Sequence, residues 1–475
     1  MPTAHAERLR YTSIHRSMTL TPAPHPASAQ VPRPVLYLWI TFVVVSALLW
    51  LSCLVLGHLG FGPPYSTPFA QGLFADLQIY FGRFETFHTA AFFEYSRHSH
   101  FAYPAGAAVI YQAIYATHRV RATYSLLCIG WALCGAVVLT RALLRQGLSL
   151  PLALAIAVSG SLAFPFLFLY QRGNIEIVLW IIASLGILAY MRRHPYVAAV
   201  LWGIATAIKI YPVFLLGLFL GHRRREIGPL LTGIASALLT TLACLAYVGP
   251  SIGLAFRGFL GGVQGFQGAY AETVRSSAMG FDHSLFSPFK LLAVSTGHLA
   301  APWLHPYYLL AGALAALVFL LRVRELPFLN RLTFLTVCFL LLPPVSYEYT
   351  LVHLYAPAAL LFLYAVAAGQ ASPSPPLPPA PNPGNLRSLT WALGCLLVLF
   401  LPINLFVLHG LLFAGQAQIL PLLLLAALAA IHPWPNPSHL PPRTPAGSPT
   451  FLVDRRLPDD VIPAATIPQS ALDLK

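Results

Sequence analysis

Acidic side chains are what this 475-residue chain has least of. There are 14 Asp and Glu against 28 Lys and Arg, and charged residues of both signs make up only 9%. Soluble domains carry roughly 25% charged residues, so a molecule wetted on all sides is excluded. The net charge of +14 does not point to nucleic acid, because no basic domain exists and the cations lie in short loops between apolar segments. Cysteine is sparse too: Cys53, Cys128, Cys134, Cys244, Cys338 and Cys395 form no CxxC pair and no metal-ligand spacing, and read as small core residues. There is no P-loop, no soluble nucleotide-binding βαβ unit and no DxD-type acidic pair to hold a metal against a pyrophosphate. The first thirty-odd residues lack the short apolar region and small-residue cleavage site of a signal peptide, so the first span is expected to be the targeting element itself.

Apolar residues, by contrast, make up 57% of the chain and the mean hydropathy is +0.70. The fold class expected is an all-α polytopic membrane protein of about twelve transmembrane helices with two long extracytoplasmic loops. Spans are predicted near 35–57, 122–143, 149–169, 175–190, 196–208, 211–221, 228–248, 303–322, 328–343, 350–368, 387–408 and 410–431. With both termini in the cytoplasm, nineteen of the 28 Lys and Arg fall inside, the bias that sets membrane orientation. The first loop, about 58–121, is aromatic, and its segment 104–117 is apolar enough to lie in or dip into the bilayer surface; the alternative is a full span, which would invert everything after it. The second, about 249–302, is glycine-rich early and reads as a mobile lid over a cavity. The proline-rich stretch 371–385 cannot be helical. The organisation expected is a disordered cytoplasmic segment 1–34, a membrane domain 35–368, a proline-rich linker 369–386, a transmembrane hairpin 387–431 and a disordered tail 432–475.

Lys209 is the only charge in the run Ala199–Gly221, AVLWGIATAIKIYPVFLLGLFLG. An ionisable group at membrane depth faces a cavity, a partner or an anionic ligand. The alternative is a lysine snorkelling from a helix end to the interface. Arg192 and Arg193 on one side and Arg223, Arg224 and Arg225 on the other put both ends in the cytoplasm. Two short helices, roughly 196–208 and 211–221, should therefore turn near Lys209, Tyr211 and Pro212, since proline breaks the helix there. Short helices are acceptable where they line a cavity, so Lys209 should look into an outward-facing pocket. Seven of the acids fall on that same side: Asp76, Glu85, Glu94, Glu176, Glu272, Asp282 and Glu348. Asp76, in an aromatic context with Phe74, Tyr80, Phe81 and Phe84, is the best placed general base. It also reads as a helix N-cap for Leu77 onward.

The order of motifs is specific. ADLQIYF and FAYPAG in the first loop precede YQRGNIEIVLW, AIKIYP with its basic turn, FDHSLF and LLPPVSYEYTLVHLYAP. This resembles the membrane glycosyltransferases of GT-C architecture, and most closely the polyprenyl-phosphate-mannose-dependent mannosyltransferases of glycosyltransferase family 87, over roughly 35–365. The resemblance implies an inverting transfer of a hexose, mannose being the one expected, from a polyprenyl-phosphate donor to a glycolipid or glycan acceptor. The place implied is the extracytoplasmic face of a bacterial inner membrane, and the partners are those two substrates and membrane lipids, without nucleic acid, metal or other cofactor. On that basis Asp76 is the candidate general base, and Lys209, Arg172 and Tyr211 the candidates for the donor phosphate, with Lys290 or Arg275 as further cations. Gln171, Asn174, Glu176, Tyr103, His283 and Ser284 are the candidates for sugar or acceptor. Asn174 also reads as a helix cap, and the sequence has Asp-His-Ser at 282–284 where the resemblance leads one to expect Asn-Gln-Ser. Tyr347, Glu348, Tyr349 and His353 read equally as an aromatic interfacial belt or an acceptor platform. The competing class is a secondary transporter or lipid flippase, which needs charged pairs inside several spans.

Overall fold

The computed structural model describes residues 31–63, 65–69, 72–79, 84–92, 103–221, 227–272, 279–368, 383–403, 407–408, 411–412 and 414–434. All of these lie in one compact unit, Ser28–Pro441. The expectations for 1–30, for most of the proline-rich linker, for the tail beyond 434, and for Tyr80, Phe81, Glu94 and Arg275 fall outside the described residues.

Helices dominate, as a low-charge chain in lipid requires, because only a helix or closed barrel satisfies every backbone polar group internally. Among the described residues, six helical stretches are long and apolar enough to cross a membrane: Arg33–His58, Val120–Arg145, Ile227–Val248, Ala301–Glu325, Glu348–Ala368 and Ala414–Ile431. Leu150–Ser161 and Phe164–Arg172 make a seventh if counted as one span bent by 44°, the break falling before Pro165. Glu176–Met191, Pro195–Ile208, Phe328–Leu341 and Leu386–Leu399 are shorter apolar helices at positions of other expected spans. Leucines on the long helices, such as Leu126 and Leu309, are 74% exposed. That inverts the soluble pattern and suits lipid contact.

Three elements refine the sequence reading. The segment 104–117 forms the helix Ala105–Tyr115, about 16 Å long, half a bilayer core. Ala105, Gly106, Ala107, Ala108, Tyr111 and Ile114 are buried, and the helix packs on Ile227–Val248 and Pro195–Ile208. A β-carbon on Gly106 would come within 2.5 Å of the Ala207 carbonyl oxygen, so this crossing needs glycine. The glycine-rich start of the second loop is a helix, Ile252–Gln267, followed by a wider turn over Gly268–Glu272. The helix at the expected span 387–408 begins earlier, at Pro383, so residues 383–385 of the stretch expected to be non-helical are helical, proline being tolerated in a first turn; it ends at Leu399, ahead of Pro402, and a two-residue antiparallel ribbon pairing Val407 with Leu412 leads into the last helix.

Two large apolar clusters stabilise the bundle. One joins the final helices to Phe328–Leu341 around Trp202, Phe219 and Trp434. The other gathers the first loop, the Phe164–Arg172 helix and the start of Glu176–Met191 around Phe74, Tyr124, Phe168 and Ile175. The turns between helices at one end of this second cluster carry the polar residues.

Candidate active site

Glycine 173 closes the Phe164–Arg172 helix in the left-handed conformation, φ 69°, which an L side chain resists. The chain then turns through Asn174 into the Glu176–Met191 helix, so Arg172, Asn174 and Glu176 project from one tight bend. Gln171, just before it, fastens the first loop. Its Nε2 donates to the Gly72 carbonyl at 2.8 Å, and its own carbonyl accepts from the Phe74 amide at 2.7 Å. Phe74 is held at φ 57°, an uncommon conformation for an aromatic residue, with its ring against Tyr124 and Tyr170. That strained anchor presents Asp76 from the first turn of the short helix Ala75–Ile79.

Asp76 is not used as a helix cap. One carboxylate oxygen takes the Arg172 guanidinium in an ion pair, and the other accepts from Asn174 Nδ2 at 2.6 Å. The same amide reaches the Tyr103 hydroxyl at 3.1 Å. Asn174 Oδ1 accepts from the Glu176 amide and from Lys209 Nζ, each at 3.1 Å, so it caps the helix and binds the cation at once. Lys209 follows the last residue of Pro195–Ile208 in extended backbone, φ −144°, and the helix resumes only at Val213 after Pro212, as the sequence predicts. The returning segment is shorter than expected, Val213–Leu216 with a 3-10 turn to Phe219.

Lys209 does not snorkel. Its ammonium sits 2.5 Å from Glu176 Oε2, under the rings of Tyr103, Tyr349 and Tyr211 at 4.9, 5.4 and 5.7 Å. Glu176 has no exposed side-chain surface and also accepts from Tyr211, while its second oxygen meets His353 Nε2 at 2.5 Å. Exposure falls steadily along this string: 23% for the Arg172 side chain, 10% for Asp76, 7% for Lys209 and none for Glu176. The Asp76 and Arg172 end is the open one.

Of the residues singled out from sequence, Asp76, Arg172, Asn174, Tyr103, Lys209, Tyr211 and Glu176 are therefore in one bonded network, with Gln171 directly behind it. Gln171 and Glu176 are engaged by the protein itself, the first by the Gly72 backbone and the second by Lys209, Tyr211 and His353. His283 and Ser284 belong to a neighbouring cluster. His283 Nε2 meets Ser346 Oγ at 3.0 Å and Thr350 Oγ1 at 3.3 Å; Ser284 Oγ donates to the Pro344 carbonyl at 3.1 Å. Burial lowers His283 to about 4, against a weaker opposing pull from Asp282, so the ring is neutral at pH 7. Lys290 is paired with Asp282 and donates to the Pro344 carbonyl at 2.7 Å, away from the Lys209 network's own bonds. Tyr347 stands between the clusters, its hydroxyl feeling Asp282, Arg172 and Asp76. The pairing of Tyr349 and His353 with Lys209 and Glu176 went unread in sequence because nothing in their spacing announces a contact across 177 positions.

Residues 101–344 match glycosyltransferase family 87. The chain belongs to that family. It is a glycosyltransferase by that match, and its apolar spans make it a membrane one. The match covers Tyr103, the 171–176 turn, Lys209, Tyr211 and the 282–284 loop; Asp76 precedes it, and Tyr347, Tyr349 and His353 follow it. No curated protein and no solved structure matches the chain.

Proposed function

We propose that this glycosyltransferase transfers a hexose, mannose being the one expected, from a polyprenyl-phosphate donor to a glycolipid or glycan acceptor at the extracytoplasmic face of a bacterial inner membrane. The observation that carries the reading is the contact of Asp76 with Arg172 at the open end of the network. A carboxylate and a guanidinium there suit the two halves of the reaction, one for the acceptor hydroxyl and one for the leaving phosphate.

Arg172 uses a single nitrogen on Asp76 among the described residues, which leaves four N–H groups for phosphate oxygens. As the donor phosphate engages Arg172, the hold on Asp76 loosens and its oxygen is released to accept a proton. The acceptor oxygen bonds to the anomeric carbon while the bond from that carbon to the phosphate oxygen breaks, and the hydroxyl proton goes to Asp76. One in-line displacement inverts the centre. Lys209 adds charge stabilisation for the departing polyprenyl phosphate, a monoester that gains a negative charge as the bond breaks, more strongly in a water-poor site than in bulk. Asn174 spans the two roles, holding Asp76 with its amide and Lys209 with its carbonyl.

The test is transfer from labelled polyprenyl-phosphate sugars to membrane lipid extracts by purified protein. Asp76→Asn should lose on the order of 10² to 10⁴ in turnover with the fold retained. Turnover that survives the substitution removes Asp76 from the base role.

A further inference from the structure

The helix Ala414–Ile431 lies beyond the family match, yet its first turn is fitted onto the second polar cluster. The Gly415 amide donates to the Gly280 carbonyl at 2.8 Å. Gln416 Nε2 donates to the carbonyls of Met279 at 2.8 Å and Asp282 at 3.2 Å. A β-carbon on Gly415 would stand 2.5 Å from the Asp282 amide nitrogen, so the two backbones meet with no room for a side chain. Further along, Gln418 Nε2 donates to Glu348 at 3.1 Å, both residues without exposed surface. Gln418 Oε1 and Glu348 Oε2 have no partner among the described residues. A protonated acid and an amide satisfy those two atoms with one more hydrogen bond, whereas a buried carboxylate with no cation is costly.

The loop that Gln416 grips is built around Asp282. Its Oδ1 accepts from the amides of Ser284 and Ser346, each at 3.0 Å, and its Oδ2 pairs with Lys290. Asp282 also forms a backbone bridge with Tyr347. Whatever fixes the Asp282 backbone therefore fixes the 344–350 segment on which Tyr347 and Tyr349 stand. Lys290, the cation of this cluster, is consumed by Asp282, and His283 is neutral. Asp282, His283 and Ser284 are buried and leave this cluster no free positive charge among the described residues; the group they hold toward Asp76 is the half-buried Tyr347, whose hydroxyl suits those of an acceptor better than a phosphate.

We propose that Gln416 is a positioning residue for the acceptor side of the site, and that the C-terminal helix acts as a clamp on the Asp282 loop. The acceptor-side assignment rests on the donor phosphate lying at Arg172 and Lys209, as proposed above. Gln416→Glu keeps the size and removes both donors; Gln416→Lys keeps a donor. Hydrogen exchange of the full-length protein in nanodiscs, without substrate, should show the amides of Ser284 and Ser346 exchanging about tenfold faster in Gln416→Glu, the scale of one or two net hydrogen bonds. The 174–176 turn should not change, and Gln416→Lys should restore protection. With polyprenyl-phosphate mannose and membrane lipid extract, the acceptor KM should rise about tenfold in Gln416→Glu while the donor KM holds. Unchanged exchange overturns the clamp, and an equal rise in both KM values overturns its acceptor side. Absence of transfer by the wild-type protein, with exchange behaving as expected, would count against the donor reading and leave the clamp standing.

Discussion

Lys209 and Glu176, 33 positions apart, form an ion pair of 2.5 Å with 7% of one side chain and none of the other exposed. Each compensates a charge that membrane depth makes expensive, so their substitutions should be coupled. Lys209→Met leaves Glu176 without its cation and should cost about 3–5 kcal/mol. Adding Glu176→Gln should recover most of that stability without restoring donor use. A double-mutant cycle of thermal unfolding in detergent, read beside donor KM, checks both; additive losses would mean the pair is not a unit.

Arg172→Lys retains the charge and gives up the planar fork. If the guanidinium bridges Asp76 and the donor phosphate, the lysine variant should lose on the order of tenfold in kcat/KM for the donor, and Arg172→Met considerably more. Equal activity of the lysine variant and wild type would show that a point charge suffices.

Gln171→Leu tests the anchor behind Asp76. Its amide bonds Gly72, so the substitution should cost about 1 kcal/mol of stability and lower kcat, with donor KM unchanged. A rise in donor KM alone would instead indicate direct sugar contact by Gln171.

His283 makes stability sensitive to acid. Its folded value near 4 lies below the ordinary 6.5, so between those values the unfolded chain binds the extra proton. The contribution is complete above about pH 6.5 and is lost as pH falls toward 4, at most about 3 kcal/mol. Melting temperatures across that window should fall more steeply for wild type than for His283→Gln; identical slopes would contradict the neutral buried ring.

The loops that meet at the site were legible because charge is scarce here. With 14 acids in the chain, Asp76 could be singled out by elimination, and Lys209 by standing alone in an apolar run. Pro212 located the break beside it. The division of labour among the neighbours was not legible. Gln171 and Glu176 read as sugar contacts from their hydrogen-bonding groups, and the spacing gave no sign that the Gln171 amide bonds Gly72 or that the Glu176 carboxylate bonds Lys209, Tyr211 and His353.

Composition and hydropathy fixed the membrane class, and helix-breaking residues fixed where the turns fall, because both are local properties of the chain in lipid. Which side chains share a bond is not local. The meeting of Asp76 with Arg172, of His353 with Glu176 and of Gln416 with the Asp282 loop spans from 96 to 177 positions. Only the packing of short helices brings such residues within 3 Å or so, and hydrogen-bond energy decays too steeply with distance for sequence spacing to reveal it.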